Sequence, residues 1–235
     1  MIPSGRPASL PLQSPGSWAA MFEQGAGGAW RVVPAGHVLE AEGRSHGVHL
    51  LDRGALVIHA VSETGQRACL DVLGPGDVAG AARDHIDQDR ADHPGRWAHA
   101  ELGTEVRALV RSRVLSSPAL RMARLVERDA RAAAALLLMR GRQEARVMRR
   151  LAWALTLPVI DRVRATLEDL AIRHGRAVER GQIIDLPLSQ DLVASIVGAS
   201  RESVNRALRE LDRHGSVLRV GRAYVVVDPP TRPGP

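Results

Sequence analysis

Two amphipathic segments lie side by side in the stretch LSQDLVASIVGASRESVNRALREL, residues 188 to 211. The first repeats apolar residues at helical spacing from Leu192 to Val197, and Gly198 follows where a corner needs a positive φ. The second confines its apolar residues to an arc of about 100° of a helix. They are Val204, Ala207, Leu208 and Leu211. Ser189 and Ser200 stand where the two helices begin and are predicted to cap them. The pattern predicts a helix-turn-helix.

The opposite face of the second helix carries long polar side chains: Arg201, Glu202, Asn205, Arg206 and Arg209. Such a face suits a DNA major groove, where Arg reads guanine and Glu accepts from cytosine. A helix that merely faces water has the same composition, so this helix alone leaves both interpretations open. The next stretch, GSVLRVGRAYVVV, predicts two strands that turn at Gly221 and Arg222. A wing after the helix pair favours the DNA-binding interpretation.

Short apolar runs separated by glycine occupy the chain from Trp30 to Val110. The runs read WRVV, HVLEA, GVHLL, ALVIHAV, ACLDVL and EVRALV. Several strands at this spacing predict a small antiparallel barrel or jelly roll.

From Pro118 to about Thr156 the pattern is helical and reaches roughly 60 Å, too long for one small domain to cover. Its apolar stripe consists of Leu125, Val126, Ala133, Leu137, Met148, Leu151 and Leu155. We expect this stripe to pack against its twin in a homodimer. Two helices with a break near Gly141 remain the alternative. Pro158 ends the long helix, and a further helix is predicted from Val159 to Arg173.

The net charge of +6 favours a polyanionic partner, and every basic residue is Arg. The single cysteine, Cys69, excludes an intrachain disulfide and any multi-cysteine metal site within one chain. The sequence contains neither an apolar run long enough to span a membrane nor the apolar core of a signal peptide. We therefore expect a cytoplasmic protein with no membrane partner.

The stretch SQDLVASIVGASRESVNRALREL resembles the C-terminal winged helix of the Crp/Fnr family of bacterial transcription regulators. Upstream, PAGHVLEAEG from Pro34, the run from Val48 to Gly54, and LGPGDVAG from Leu73 resemble the family's cyclic-nucleotide-binding β-roll. The resemblance covers roughly residues 15 to 228 and implies an α+β fold. The expected divisions are a mobile tail over 1–14, a β-roll sensor domain over 15–115, a dimerisation helix over 116–157 and a winged helix-turn-helix DNA-binding domain over 158–228.

The segment SRESVNR is similar to the family's Ser-Arg-Glu-Thr-Val-x-Arg. This similarity implies that Arg201, Glu202 and Arg206 face base edges and read a half-site near TGTGA, while Asn205 departs from the pattern and adds a contact. The expected phosphate ligands are Ser189, Gln190, Ser200, Ser203 and Arg222. A homodimer implies double-stranded DNA with a palindrome, its half-sites about one helical turn apart. RNA polymerase is a further partner if the protein is an activator.

The effector pocket departs from the family pattern. Cyclic-AMP-binding members carry Gly-Glu-Leu, an Arg followed by Ser or Thr, and hydroxyl residues on the dimer helix. The corresponding positions here are Gly80, Ala81, Ala82, Arg96, Trp97, Val147 and Met148. Each buried polar group left unpaired costs about 1 to 3 kcal/mol, so we expect no ordinary cyclic AMP binding. A pocket filled by Trp97 and a different nucleotide-type effector both stay open, and no cofactor is assigned.

A metal-dependent enzyme on a cupin-like jelly roll is the alternative from another class. Its ligands would be His46 and His49 with one of His85, His93, His99 or Glu101. The spacing of His46 and His49 places them on opposite faces of a strand, which disfavours a shared metal. A haem or redox effector acting through Cys69 is a variant of the regulator, although Cys69 is expected to pack as a small apolar residue. No nucleophile or phosphate-loop pattern is present, so we do not expect an enzyme.

Overall fold

The computed structural model describes residues 15–41, 47–62, 65, 67–80 and 103–227. The predicted tail over 1–14 lies outside these residues. Among the described helices, none combines the length and apolar character that crossing a membrane requires.

The N-terminal half is an antiparallel roll that follows one helix, α1 (Pro15–Ala26). Its strands are β1 (Ala29–Val33), β2 (Val38–Glu40), β3 (Gly47–Arg53), β4 (Leu56–Val61), β5 (Arg67–Leu73), β6 (Val78–Gly80), β7 (Gly103–Ala108) and β8 (Ser112–Pro118). They form two four-stranded sheets, β1-β8-β3-β6 and β2-β7-β4-β5. Leu51, Leu56, Leu73 and Val114 are fully buried in one apolar cluster of the roll. The predicted jelly-roll-like fold is confirmed.

The predicted single long helix is wrong, because the chain forms two helices: α2 (Ala119–Arg128) and α3 (Ala130–Thr156). They meet at Asp129, which has an extended backbone and whose carboxylate accepts hydrogen bonds from the amides of Arg131 and Ala132. This side-chain cap starts a new helix and ends the previous one. The expected alternative break near Gly141 is also wrong, since Gly141 lies inside α3.

The C-terminal half begins with α4 (Val159–His174), close to its predicted bounds. It continues with β9 (Gly175–Val178), β10 (Gly181–Ile184), α5 (Gln190–Val197), α6 (Arg201–Arg213), β11 (Val217–Val220) and β12 (Ala223–Val227). The last two strands are the predicted wing, and they join β10 and β9 in a sheet of order β11-β12-β10-β9. The apolar core of this half is continuous with the roll, because Val57 and Val72 belong to the same buried cluster as Leu167 and Val193.

Candidate DNA interface and its connection to the roll

Local hydrogen bonds shape the helix-turn-helix as the sequence predicts. Ser189 Oγ accepts a hydrogen bond from the Leu192 amide at 3.1 Å and caps α5. Gly198 ends α5 with a φ of 63°, a left-handed conformation that favours glycine. Ser200 Oγ accepts from the Ser203 amide at 3.2 Å and caps α6. The corner therefore fixes the direction in which α6 leaves α5.

The α6 helix buries one face and exposes the other. Its buried side chains are Val204, Ala207, Leu208 and Leu211. Its exposed side chains include Arg201, Glu202, Arg206 and Arg209. Arg201 approaches Asp191 at 3.5 Å, but both side chains are about two-thirds exposed, at 66% and 68%. Such a surface pair is weak, so the Arg201 guanidinium is available to a nucleic acid.

The partly buried Asn205 is held by a neighbouring side chain. Gln190 Nε2, at the start of α5, donates a hydrogen bond to Asn205 Oδ1 at 3.1 Å. Oδ1 is the acceptor of the Asn amide and Nδ2 is its donor group, so this contact leaves Nδ2 for another partner. Gln190, predicted as a phosphate ligand, thus also orients a side chain on the recognition face.

Arg222 lies at the tip of the β11–β12 hairpin, which is the predicted wing. Gly221 turns the hairpin with a φ of 60°, and Arg219 Nε donates to its carbonyl oxygen at 3.2 Å. Arg222 itself is exposed. A solvated guanidinium at a hairpin tip is suited to a phosphate rather than to a base edge.

The comparisons with known proteins agree with this geometry. A family model described as the Crp-like helix-turn-helix domain matches residues 130–231. A CRP-like cAMP-activated global transcriptional regulator of Mycobacterium tuberculosis is 29% identical over 202 residues, covering 83% of this chain and 82% of the relative.

The C-terminal half of the chain therefore carries a Crp-like helix-turn-helix domain. Together with the regulator-type relative, this domain supports a DNA-binding transcription regulator of the Crp/Fnr type, and the cupin-like alternative is not favoured.

Solved structures of Crp/Fnr-type regulators share the fold of this chain. The c-di-GMP-responsive global regulator of Xanthomonas campestris superposes with a TM-score of 0.69 at 19% identity, covering 91% of this chain and all of the other. A CRP/FNR-family transcriptional regulator of Thermus thermophilus gives a TM-score of 0.64 at 19% identity, covering 85% of this chain and 94% of the other. The likeness therefore extends over both halves of the molecule.

The expected effector positions that the structure describes lie on two different elements, β6 and α3. Gly80 ends β6 with a φ of 84°, and a Cβ there would collide with the carbonyl oxygen of Gly47, so its backbone position requires glycine. Val147 and Met148 lie on an exposed face of α3. The other four expected positions, Ala81, Ala82, Arg96 and Trp97, lie outside the described residues.

Buried polar groups near Gly80 were not anticipated from the sequence. Within the described chain, Arg140 Nη2, Gln143 Oε1 and His49 Nε2 are buried without a hydrogen bond. His49 Nε2 lies 3.3 Å from Glu40 Oε1 but without hydrogen-bond geometry. Burial lowers the pKa of Arg140, opposed by the charge of Glu40. The signal that could have indicated these buried polar groups is a polar residue, Gln143, on the face of α3 that packs on the roll.

The alternative chemistries find little support among the described residues. No group of three metal-ligating side chains occurs in the residues that the structure describes. His49 is instead engaged through Nδ1 with Ser116 Oγ at 2.9 Å. His46, His85, His93, His99 and Glu101 lie outside the described residues. Burial raises the pKa of the Cys69 thiol to about 12, so it stays protonated and unreactive.

A buried ion cluster connects the roll to α3. Asp71 on β5 accepts from Arg146 Nη2 and from Arg150 Nη2, each at 2.8 Å. Arg146 also pairs with Asp77 at 2.9 Å. Burial raises the pKa of Asp77, although the Arg146 charge opposes this. Charges removed from water are costly unless paired, so the cluster fixes how α3 sits on the roll.

The roll also contacts the DNA-binding half directly. The Cys69 amide on β5 donates to Ser195 Oγ on α5 at 2.7 Å. Arg173 Nη1 on α4 donates to the carbonyl oxygen of Val72. The strand β5 therefore touches α3, α4 and the helix-turn-helix.

Proposed function

We propose that this regulator binds DNA as a homodimer on a palindrome with TGTGA-like half-sites, one α6 helix in each major groove. The single observation that carries the proposal is the exposed face of α6, where Arg201, Glu202 and Arg206 project away from a buried apolar face. Arg reads guanine O6 and N7, and Glu accepts from cytosine N4. The three side chains match the family motif at the same spacing.

The remaining polar groups divide into two roles. The hydroxyls of Ser189, Ser200 and Ser203 lie at helix starts, where backbone amides also point at an anion, so we assign them to phosphates with wing Arg222. Asn205 faces the groove as a hydrogen-bond donor because Gln190 occupies its acceptor.

Arg209 lies further along the exposed face of α6 and is assigned to the flank of the half-site.

The α3 helix is assigned as the dimer interface. Its exposed leucines and methionine, Leu137, Met148, Leu151 and Leu155, are between 52% and 77% exposed in one chain. Their spacing follows a heptad pattern, while the opposite face of α3, with Ala132, Ala135 and Met139, packs on the roll. Burying four such side chains against a twin helix stabilises the dimer by about 1.5 to 3 kcal/mol for each fully covered residue. The sensor, dimerisation and DNA-binding divisions at 15–115, 116–157 and 158–228 follow this assignment.

We further infer that ordinary cyclic AMP is not the effector, although the Mycobacterium tuberculosis relative is named as cAMP-activated. Val147 and Met148 present no hydroxyl to an adenine, and Ala81 presents no carboxylate to a ribose. A nucleotide would leave its polar groups unpaired at these positions. Isothermal titration tests this: one low-micromolar cyclic AMP per chain would contradict the inference.

Fluorescence anisotropy with nucleotide-free protein tests the DNA proposal. The labelled duplex carries TGTGA, six base pairs and TCACA, and the reference is a scrambled duplex of equal composition. Nanomolar binding confined to the palindrome is expected, with a stoichiometry of two chains per duplex. If the palindrome binds no better than the scrambled duplex, both without nucleotide and with a panel of nucleotides, the assigned half-site is wrong.

A further inference from the structure

A cavity of about 280 Å³ lies where the roll meets the helices. It is bounded by α1, the end of β3, the turn between β5 and β6, the middle of α3 and the end of α4. None of the described effector positions, Gly80, Val147 and Met148, lines it. Around α3 the nearest of these, Val147, is about 100° from the cavity-lining Arg146. The cavity is therefore lined by residues other than the described effector positions that the family resemblance indicates.

The inner wall of the cavity is apolar and tightly packed. Trp18 and Ala19 come from α1, Leu50 from β3 and Met139 from α3, and all four are buried. The volume lies just below the range of about 300 to 1,000 Å³ typical of pockets for drug-sized ligands. A compact amphipathic ligand, smaller than most drug-sized molecules, fits this space.

Three guanidiniums line the cavity, and two of them are already committed. Arg146 pairs with Asp71 and Asp77, and Arg173 pairs with Asp169 at 2.8 Å. Arg142 is exposed and makes no ion pair or side-chain hydrogen bond with the described residues.

The carboxylates that line the cavity are also committed. Asp52 pairs with Arg113 at 3.2 Å, and Asp77 accepts from the Gly74 amide at 2.9 Å besides pairing with Arg146. With the acidic groups matched by protein partners, the unmatched charge of the cavity is the cation of Arg142.

We propose that this cavity binds a small amphipathic carboxylate, with its apolar body against Trp18 and Met139 and its carboxylate on the Arg142 guanidinium. Arg and carboxylate form paired charge-assisted hydrogen bonds, and the planar fork of Arg suits that geometry. The apolar wall supplies affinity through burial, and Arg142 selects the charged form over a neutral analogue.

Occupancy of the cavity bears on regulation because its walls come from the roll, from α3 and from α4. Arg173 belongs to α4 of the DNA-binding half, Arg142 to the dimer helix, and Trp18 and Leu50 to the roll. A ligand that contacts all of them favours the arrangement in which the two halves are docked. This regulatory consequence rests on the proposed function, whereas the binding site itself does not.

Isothermal titration of the full-length protein without DNA tests the site. The probes are benzoate, cinnamate and octanoate, each paired with its neutral amide. We expect at least one acid to bind once per chain and at least tenfold more tightly than its amide. Arg142→Gln should remove this preference, and Ala19→Leu, which fills the cavity, should weaken acid and amide alike. Arg124→Gln is the matched control, since Arg124 is an exposed helical arginine away from the cavity.

Three results overturn the proposal: no acid bound at concentrations up to about ten millimolar, equal binding of acid and amide, or a preference that survives Arg142→Gln. Circular dichroism melting of each variant verifies that it is folded. Because the titration contains no DNA, failure of the site and failure of the DNA-reading assignment are recorded in different experiments.

Discussion

Replacing Arg201 by Ala isolates base reading from folding. The side chain is 66% exposed, and its described ion pair is the one with the equally exposed Asp191 at 3.5 Å. An exposed pair contributes about 0 to 1 kcal/mol, so the melting temperature and dimer content of the variant should change little. Any large loss of DNA affinity can then be attributed to the lost contact between Arg201 and DNA.

The expected magnitude follows from the symmetry of the complex. One bidentate contact to guanine is worth about 1 to 3 kcal/mol of discrimination. A homodimer loses this contact in both half-sites, and losses at separated positions are roughly additive, which gives about 2 to 6 kcal/mol. Because about 1.4 kcal/mol is a factor of ten, the palindrome should bind at least about thirtyfold more weakly.

Anisotropy titrations at fixed salt measure the effect on the palindrome and on the scrambled duplex. Arg222→Ala is the matched control: it should weaken both duplexes alike and lower the salt slope by about 1 for each lost phosphate contact. If Arg201→Ala reduces binding to the scrambled duplex as much as to the palindrome, Arg201 does not read a base.

Four further outcomes are expected. Leu151→Glu should convert the dimer to monomers in light scattering, whereas Ile172→Glu, also exposed but outside the α3 stripe, should leave it dimeric. Gln190→Ala should free the amide that it orients and broaden the base preference at one position in a randomised half-site selection, with the other positions unchanged. Asp71→Asn should lower the free energy of unfolding by about 3 to 5 kcal/mol in urea at constant chain concentration, because two buried guanidiniums lose a charged partner; a loss below about 1 kcal/mol would contradict this. Burial lowers the pKa of His174 from 6.5 to about 4, so the unfolded chain binds its proton first and stability should fall as pH drops from about 6.5 towards 4, a dependence that His174→Gln should flatten.

The helix-turn-helix and the wing could be predicted closely because the features that determine them are local. Caps at Ser189 and Ser200, the left-handed Gly198 and the period of the apolar residues all act within a few positions of the chain. Each of these features fixes a turn or a helix face without reference to distant residues. The order helix, corner, helix and wing follows from them.

Strand β8 escaped prediction because its buried positions include serines. Ser112 Oγ donates to the carbonyl oxygen of Val110 and Ser117 Oγ to that of Ala26, so these hydroxyls are satisfied inside the roll. A hydrophobic pattern cannot predict that a polar residue is buried when its hydrogen-bond partner lies 91 positions away in the chain. The break at Asp129 was missed for the opposite reason, since Asp is tolerated inside a helix and only its bonds to the next turn mark a start.

The contacts of the roll with α3 and with the C-terminal half could not be predicted at all. Asp71, Arg146 and Arg150 meet across 75 and 79 positions of sequence, and in each segment alone a charged residue is expected to face water. Likewise, the contact between Cys69 and Ser195 depends on how two separately predicted units dock. Such pairings are properties of the assembled molecule.

The shared apolar cluster has a consequence for how this protein can be divided. Val57 and Val72 of the roll cover the same core as Leu167, Leu170 and Val193 of the DNA-binding half. A fragment that begins at Pro158 would expose that covered surface to water, and the roll alone would expose the matching surface of β4 and β5. The winged helix of this chain is therefore not a cassette that can be grafted onto another sensor unchanged. A chimera needs a donor strand equivalent to β5, or polar replacements on the face that β5 covers.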